Sequence, residues 1–349
     1  MSTSASRPFA RRSLMLGAGG ALAGLVLSAC SSELEPPSAP PAGPEPQPTP
    51  VATADQLQTF ATEVHETLVA ADEARDAALL APRISGSALE FRTAMYEMIA
   101  TAEEWAEDLR TPGGELIHPM TSLGAEFPRV GISLVSDSVE DGVPYFLVLQ
   151  QADAKSPYTS WGWAQQAVDI EMPVVASDQV GSEPVTIDAD GLRMTPAEAL
   201  ALYAKVLSDG DAADPDDVLA PNPFQTGTHE RIQTERNELN EGVEWDEAAT
   251  IKEVYTLKEG EFAGLRTDDG GALVMATYLS TRTVKVADRA TMSYAEDNKY
   301  TRLIGTREFT DEYVREYGTT VAVYIPPEGS DAQIQPVGAT QSALGAHGQ

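Results

Sequence analysis

The chain has 349 residues and a formal net charge of −31, with 54 acidic side chains against 23 basic ones. Such an acidic surface repels nucleic acid and anionic lipid headgroups, which excludes both as expected partners. Cys30 is the only cysteine, so we expect a fold without disulfides and without a zinc site built on thiolates.

The first thirty residues have the order of a bacterial export leader. Arg11 and Arg12 precede an apolar run, 14–27. As a helix this run would reach only about 21 Å, which is short of the ~30 Å hydrocarbon core of a membrane. It ends in Leu27-Ser28-Ala29-Cys30. This order resembles the signal peptide of bacterial lipoproteins, and the resemblance implies cleavage before Cys30 and a diacylglyceryl group on its sulfur.

The leader predicts where the mature protein is held. Acyl chains on Cys30 would anchor it to the outer face of the bacterial cytoplasmic membrane, since two chains bind a bilayer stably. Removal of residues 1–29 takes away three arginines and no acid, so the mature charge is −31 − 3 = −34. An ordinary secretory signal with a cysteine there by chance is the alternative. Arg11-Arg12-Ser13-Leu14 also resembles a twin-arginine signal, against which stands a generic basic start.

Residues 30–52, which begin with the lipidated cysteine, are predicted to form a disordered tether. Eight prolines between positions 36 and 50 favour extended polyproline geometry and cannot support a core. At about 3 Å per residue, the tether would hold the folded body up to ~60 Å from the bilayer.

The remaining body is long for one core, and its elements favour a division near Asp188. We predict an N-terminal module over 53–188, a C-terminal module over 189–327 and a flexible tail over 328–349. In both modules helices precede strands. This order is typical of the α+β class, in which helices cover one face of a curved antiparallel sheet.

In the first half, Thr53-x-x-Gln56 predicts a capping box, and apolar residues follow it at helical spacing as far as Pro82. A second helix is predicted to begin near Ser87 and to end at Pro112. Strands are then predicted over 130–135, 145–149 and 158–170.

In the second half, Thr195-Pro196-Ala197-Glu198 combines a helix cap, a proline in the first turn and a reciprocal glutamate. Asn222-Pro223 is predicted to begin a more polar helix that reaches Leu239. Strands are predicted over 250–257, 262–266, 273–286, 301–306 and 320–325.

Two resemblances extend along the mature chain. Its order of elements is similar to two tandem NTF2-like or cystatin-like modules, which implies a fold outline and no functional residue. Segments 83–92 (RISGSALEFR), 151–158 (QADAKSPY) and 194–200 (MTPAEAL) resemble a group of actinobacterial lipoproteins whose mature domain has no known function. That resemblance implies a cell-surface lipoprotein and carries over no catalytic residue.

No common hydrolase, nucleotide-binding or zinc-protease motif occurs in the sequence, so we assign no catalytic residue, cofactor or metal. The acidic stretch 209–217 has oxygens that suit Ca²⁺ but lacks the spacing of an EF-hand. A solvated acidic loop is therefore the favoured interpretation.

Five residues are candidate ligand contacts. Tyr158, Trp161 and Trp163 would stack on a flat ligand if exposed, whereas the favoured interpretation is that they fill the core. Arg92 and Lys155 lie beside apolar neighbours, where they would orient a ligand or pair with nearby carboxylates.

Together these features predict a non-enzymatic lipoprotein that binds an envelope protein or a small ligand. The alternative is a small-ligand binder or simple acid–base enzyme with a deep apolar pocket beneath the helices, as in NTF2-like proteins. A third hypothesis, delivery of a solute to a transporter, requires a cleft between the two halves.

Overall fold

The structure, a computed structural model, describes residues 48–124 and 126–349. The predicted signal (Arg11, Arg12, Leu27, Ser28, Ala29), the lipidation site Cys30 and most of the tether lie outside the described residues. Among the residues that are described, no helix is long and apolar enough to cross a membrane.

The first half begins with helices and continues as an antiparallel sheet of four strands in the order β1-β2-β3-β4. Short 3₁₀ turns follow each helix, at Ala77–Leu79 and Glu103–Asp108. The elements are α1 (Ala54–Ala74), α2 (Gly86–Thr101), β1 (Pro112–His118), β2 (Arg129–Asp137), β3 (Tyr145–Gln151) and β4 (Trp163–Gln165).

The second half repeats this order. Its helices are α3 (Pro196–Asp209) and α4 (Pro223–Leu239), with a 3₁₀ turn at Asp211–Ala213 between them. The antiparallel sheet has the order β10-β9-β6-β5, and β7 and β8 form a separate pair. The remaining elements are β5 (Ala249–Arg266), β6 (Ala272–Val286), β7 (Met292–Ser293), α5 (Lys299–Ile304), β8 (Glu308–Phe309), β9 (Glu312–Ile325) and β10 (Gln335–Gly348).

The α+β class is thereby confirmed. The caps of the helices and the apolar residues on one face of each helix account for this arrangement. The predicted capping boxes of α1 at Thr53 and of α3 at Thr195 are both present. On α3, Leu200, Tyr203, Val206 and Leu207 recur at helical spacing and are all buried against the second sheet. Full burial of one such side chain contributes about 1.5–3 kcal/mol, so these stripes fix which face of each helix meets its sheet.

The two sheets also share a core. Ile132 and Phe146 of the first sheet belong to one buried cluster with Leu273, Met275 and Val337 of the second. The described residues accordingly fall in one compact unit. The module boundaries at 188 and 327 stay a prediction.

The prediction of a flexible tail is wrong from residue 335 onward, where β10 pairs with β9 along its length. β10 also meets the first sheet, since Thr340 Oγ1 accepts from the Gln165 amide at 2.9 Å and the Val337 carbonyl from that of Ala167 at 2.7 Å. Small residues permit this contact: a Cβ on Gly338 would lie 2.8 Å from the Gln165 carbonyl oxygen. Because the residues of this segment are mostly small or polar, its sequence lacks the regular alternation of large apolar residues that predicts a strand.

Three other element predictions differ from the structure. Residues 301–306 do not form a strand, because the Asn298 side chain accepts hydrogen bonds from the Tyr300 and Thr301 amides and begins α5. Within 158–170, only Trp163–Gln165 form a named strand. The end of the predicted tether is docked on the body, where the Val51 amide donates to the Ser122 carbonyl at 3.0 Å.

Candidate functional site

The aromatic candidates from the sequence lie in the interior. Trp161 and Trp163 are both buried, which confirms that they fill the core. They belong to different clusters, since Trp161 precedes β4 and packs between the sheets while Trp163 packs toward α2. Tyr158 is buried and stacks on Phe60, with ring centroids 4.4 Å apart.

Arg92 and Trp163 do come together. The Arg92 guanidinium carbon lies 5.4 Å from the Trp163 ring centroid, and Arg92 Nε is 3.4 Å from a carboxylate oxygen of Asp72. Asp72 also accepts from the Tyr96 hydroxyl at 2.7 Å. Burial lowers the pKa of Arg92, and the nearby Asp72 carboxylate opposes that shift.

The crevice beside Arg92 and Trp163 is small. It leaves about 20 Å³ for solvent, which is room for about one water molecule and not for a ligand. Lys155 does not line this crevice. It lies on an exposed loop, where its backbone amide donates to Asp153 Oδ1 at 2.8 Å. Arg92 and Trp163 therefore pack against each other in the interior. A ligand role for the five residues stays a prediction.

A larger space lies along α4, and we call it the tyrosine cleft. It has a volume of about 550 Å³, within the range of about 300–1,000 Å³ that is usual for ligand sites. One wall is α4, the other is the segment from β7 to α5, and β9 contributes to the floor. Its lining includes Glu235 of α4, Tyr294, Tyr300 of α5, and Tyr313 and Arg315 of β9.

The polar sequence of α4 explains why this helix forms a wall. The Asn222 side chain caps it by accepting from the Gln225 amide at 3.0 Å, and Pro223 stands in the first turn. Cleft-lining positions then recur three or four residues apart, at 227, 230, 231, 234, 235 and 238. This spacing places one polar face of the helix along the whole cleft.

Charges of alternating sign extend from the second sheet into the cleft. Glu253 pairs with Arg282 at 2.7 Å, Arg282 approaches Glu235 at 3.8 Å, and Glu235 accepts from Arg315 at 2.6 Å. The Glu253 carboxylate also accepts from the Ser280 hydroxyl at 2.7 Å. Because buried charges are costly unless paired, each group here has an opposite neighbour.

The Arg315 side chain is buried against two tyrosines. Its guanidinium lies 4.7 Å from the Tyr313 ring centroid and 5.6 Å from that of Tyr300. Arg315 is about 94% buried, and its Nε has no hydrogen-bond partner among the described residues. Nε has almost no exposed surface and shares this state with other buried atoms of the described residues, Arg92 Nε among them, so it does not by itself mark a place for a ligand.

The titrating groups of the cleft favour binding over proton transfer. Burial raises the pKa of Tyr294 to about 12, and burial likewise raises the pKa of Tyr300 and of Tyr313. Their hydroxyls therefore stay protonated at neutral pH and serve as hydrogen-bond donors and acceptors. Glu235, a carboxylate of the α4 wall, is already shared by two arginines.

The acidic stretch 209–217 has structural partners. Asp214 Oδ2 accepts from the Leu219 amide at 2.7 Å, and Asp211 Oδ1 accepts from Gln225 Nε2 at 2.8 Å. Across the part of the chain that the structure describes, no group of three or more His, Cys, Asp or Glu side chains is arranged to hold a metal ion.

A family model matches residues 134–348, which is more than half of the chain, and its description is domain of unknown function (DUF8094). The chain belongs to the DUF8094 family. No curated protein and no solved structure matches it. The expectation of a domain without known function is confirmed, whereas the actinobacterial lipoprotein group and the NTF2-like outline stay predictions.

The DUF8094 region contains the whole tyrosine cleft and also β10, while α1, α2 and β1 precede it. Sequence reasoning missed the cleft because its residues come from separate segments. One local signal was present: Tyr313, Arg315 and Tyr317 alternate along β9, which places them on one face of the strand.

Proposed function

We propose that this DUF8094 protein is a lipid-anchored binding protein on the outer face of the bacterial cytoplasmic membrane, and that it holds a partner in the tyrosine cleft. One observation carries the binding role: an open cleft of about 550 Å³ is lined by tyrosines and by the exposed carboxylates of Glu230 and Glu238, which have no ion-pair partner among the described residues. The order of residues 1–30 supports the anchor.

Binding without catalysis is the better proposal for this cleft. Its tyrosine hydroxyls stay protonated at neutral pH, as the raised pKa of Tyr294 indicates, so they are poor bases. The Glu235 carboxylate accepts from Arg315 at 2.6 Å and lies 3.8 Å from Arg282, so its oxygens are occupied by groups of the protein itself.

The shape of the cleft supports a macromolecular partner over a small ligand. It is an open groove along α4, and an extended chain can lie in such a groove. The NTF2-like alternative needs a deep apolar cavity beneath a helix. Leu57 and Leu68 of α1 and Tyr203 of α3, which point toward the sheets, are fully buried and fill that space with side chains.

Site-specific photo-crosslinking in the full-length protein, expressed in its own cells, tests this proposal. A photoreactive side chain at Thr234, in the cleft, is expected to form adducts of discrete mass. The matched position is Thr256, which is exposed on β5 and is not part of the cleft lining. Gly227→Trp, which adds a bulky ring at one end of the cleft without deleting a contact, is expected to abolish the Thr234 adducts.

The result that overturns the proposal is equally specific. Thr234 would give no adduct, or it would give the adducts that Thr256 gives, or Gly227→Trp would leave its adducts unchanged. In each case the cleft is not where a partner binds.

A further inference from the structure

We infer that the occupant of the tyrosine cleft is a basic segment of a polypeptide, with its Lys or Arg side chains against carboxylates of α4. This inference rests on the proposed function and adds the chemical class of the partner.

Two exposed carboxylates lie at the rim of the cleft. Glu230 and Glu238 line it, both are exposed, and neither makes an ion pair within the described residues. Arg231 is also exposed in the lining, where three carboxylates stand against two guanidinium groups. They are eight positions apart on α4, which is about 12 Å along the helix axis. An extended chain covers that distance with about four residues, so two cations of one short segment reach both carboxylates.

The buried charges beneath the cleft disfavour an anionic occupant. Arg282 and Arg315 are balanced by Glu235 and Glu253, so the buried network carries no net charge. An additional carboxylate from a ligand would make that network negative inside a protein of net charge −31. A basic segment brings no carboxylate to this network and places its cations at the rim instead.

The tyrosines suit the same occupant. Tyr294 is only partly buried, and its ring lies at the wall opposite α4. A Lys or Arg side chain placed between this ring and the α4 carboxylates would gain a cation–π contact as well as an ion pair. A neutral polysaccharide would use the ring but would leave Glu230 and Glu238 without a cation.

Binding of fluorescein-labelled decalysine to the purified full-length protein in detergent tests the inference, with a neutral oligosaccharide of similar length as the competing probe. Fluorescence anisotropy at moderate ionic strength gives the dissociation constant. We expect decalysine to bind, and the double variant Glu230→Gln/Glu238→Gln to weaken binding about fivefold, since each exposed ion pair contributes modestly. Gly227→Trp is expected to weaken it further.

A matched control separates the cleft from the charge of the whole protein. Glu73→Gln/Glu97→Gln makes the same change of charge at exposed positions of α1 and α2 and is expected to change the dissociation constant by less than about twofold. Equal weakening in both double variants, or binding of the oligosaccharide and not of decalysine, overturns the inference. Loss of all Thr234 crosslinks overturns the proposed function instead, so the two failures are distinguishable.

Discussion

Glu253 and Arg282 form an ion pair of 2.7 Å between neighbouring strands β5 and β6, and both side chains are almost completely buried. Through Glu235 this pair supports Arg315, the residue at the floor of the tyrosine cleft. The position of Arg315 therefore depends on the Glu253 carboxylate, which lies outside the cleft.

Removal of the Glu253 carboxylate should destabilise the folded protein. We expect Glu253→Ala to lower the free energy of unfolding by about 3 kcal/mol, because it removes the close partner of the buried Arg282 guanidinium and leaves only Glu235, at 3.8 Å. Urea denaturation followed by circular dichroism measures the change. The double variant Glu253→Met/Arg282→Met removes both charges and should recover most of the loss. A cost below about 1 kcal/mol for Glu253→Ala would contradict the burial of this pair.

Gly318 of β9 is expected to tolerate no side chain. A Cβ there would lie 2.1 Å from the ring of Phe91 on α2, so Gly318→Ala must displace the helix or the ring. We expect a loss of about 1–3 kcal/mol in the free energy of unfolding. Gly345→Ala on β10 is the control, since its Cβ would meet only the end of the Glu316 side chain, at 3.4 Å. Similar stability of the two variants would rule out the close contact of α2 with β9.

The buried tyrosines predict instability in alkali. Burial raises the pKa of both Tyr145 and Tyr294 to about 12, from an unfolded value of 10.0. A raised folded-state value means that the contribution to stability is complete below pH 10 and is lost as the pH rises through about 12. Tyrosinate absorbance should therefore appear late and together with unfolding. Tyrosines that titrate at their ordinary pKa in the folded protein would contradict this.

Limited proteolysis distinguishes a strand from a tail at residues 335–348. Because β10 pairs with β9 and Val337 is fully buried, a protease of broad specificity should not cut within this segment under native conditions. Mass spectrometry of the fragments locates the cuts. Early cleavage between Gln335 and Gly348 would restore the flexible tail that the sequence suggests.

The predicted anchor can be tested at Cys30. We expect Cys30→Ser to move the protein from the membrane fraction to the soluble fraction, because the acyl chains have no sulfur to attach to. Mass spectrometry of the native protein should find a mature chain that begins at an acylated Cys30. An intact leader, or a free thiol at Cys30, would contradict the anchor.

The sequence predicts elements well where local chemistry decides them. Thr53, Thr195 and Asn222 each cap a helix as expected, because a side-chain oxygen satisfies nearby amides without help from the rest of the fold. The β-branched residues within 301–306 suggest a strand. In the structure, Asn298 caps the start of α5 and Gly305 ends it, so residues up to Ile304 are helical. A local cap thus outweighed propensity.

Contacts between distant segments could not be predicted in this way. Trp163 and Arg92 were each identified as candidates, but only the fold shows that they meet across a crevice with room for about one water molecule. Glu235, Tyr294 and Arg315 carry no motif, because their proximity depends on how α4, β7 and β9 pack. Periodicity in one chain contains no information on that packing.

The place of β10 has a consequence for biosynthesis. Val337 and Thr340, which join the two sheets, follow in the sequence the segments that they contact, so the shared interior cannot close until the ribosome has added residue 340. Until then, apolar side chains such as Ile132, Phe146 and Met275 lack one of the strands that cover them.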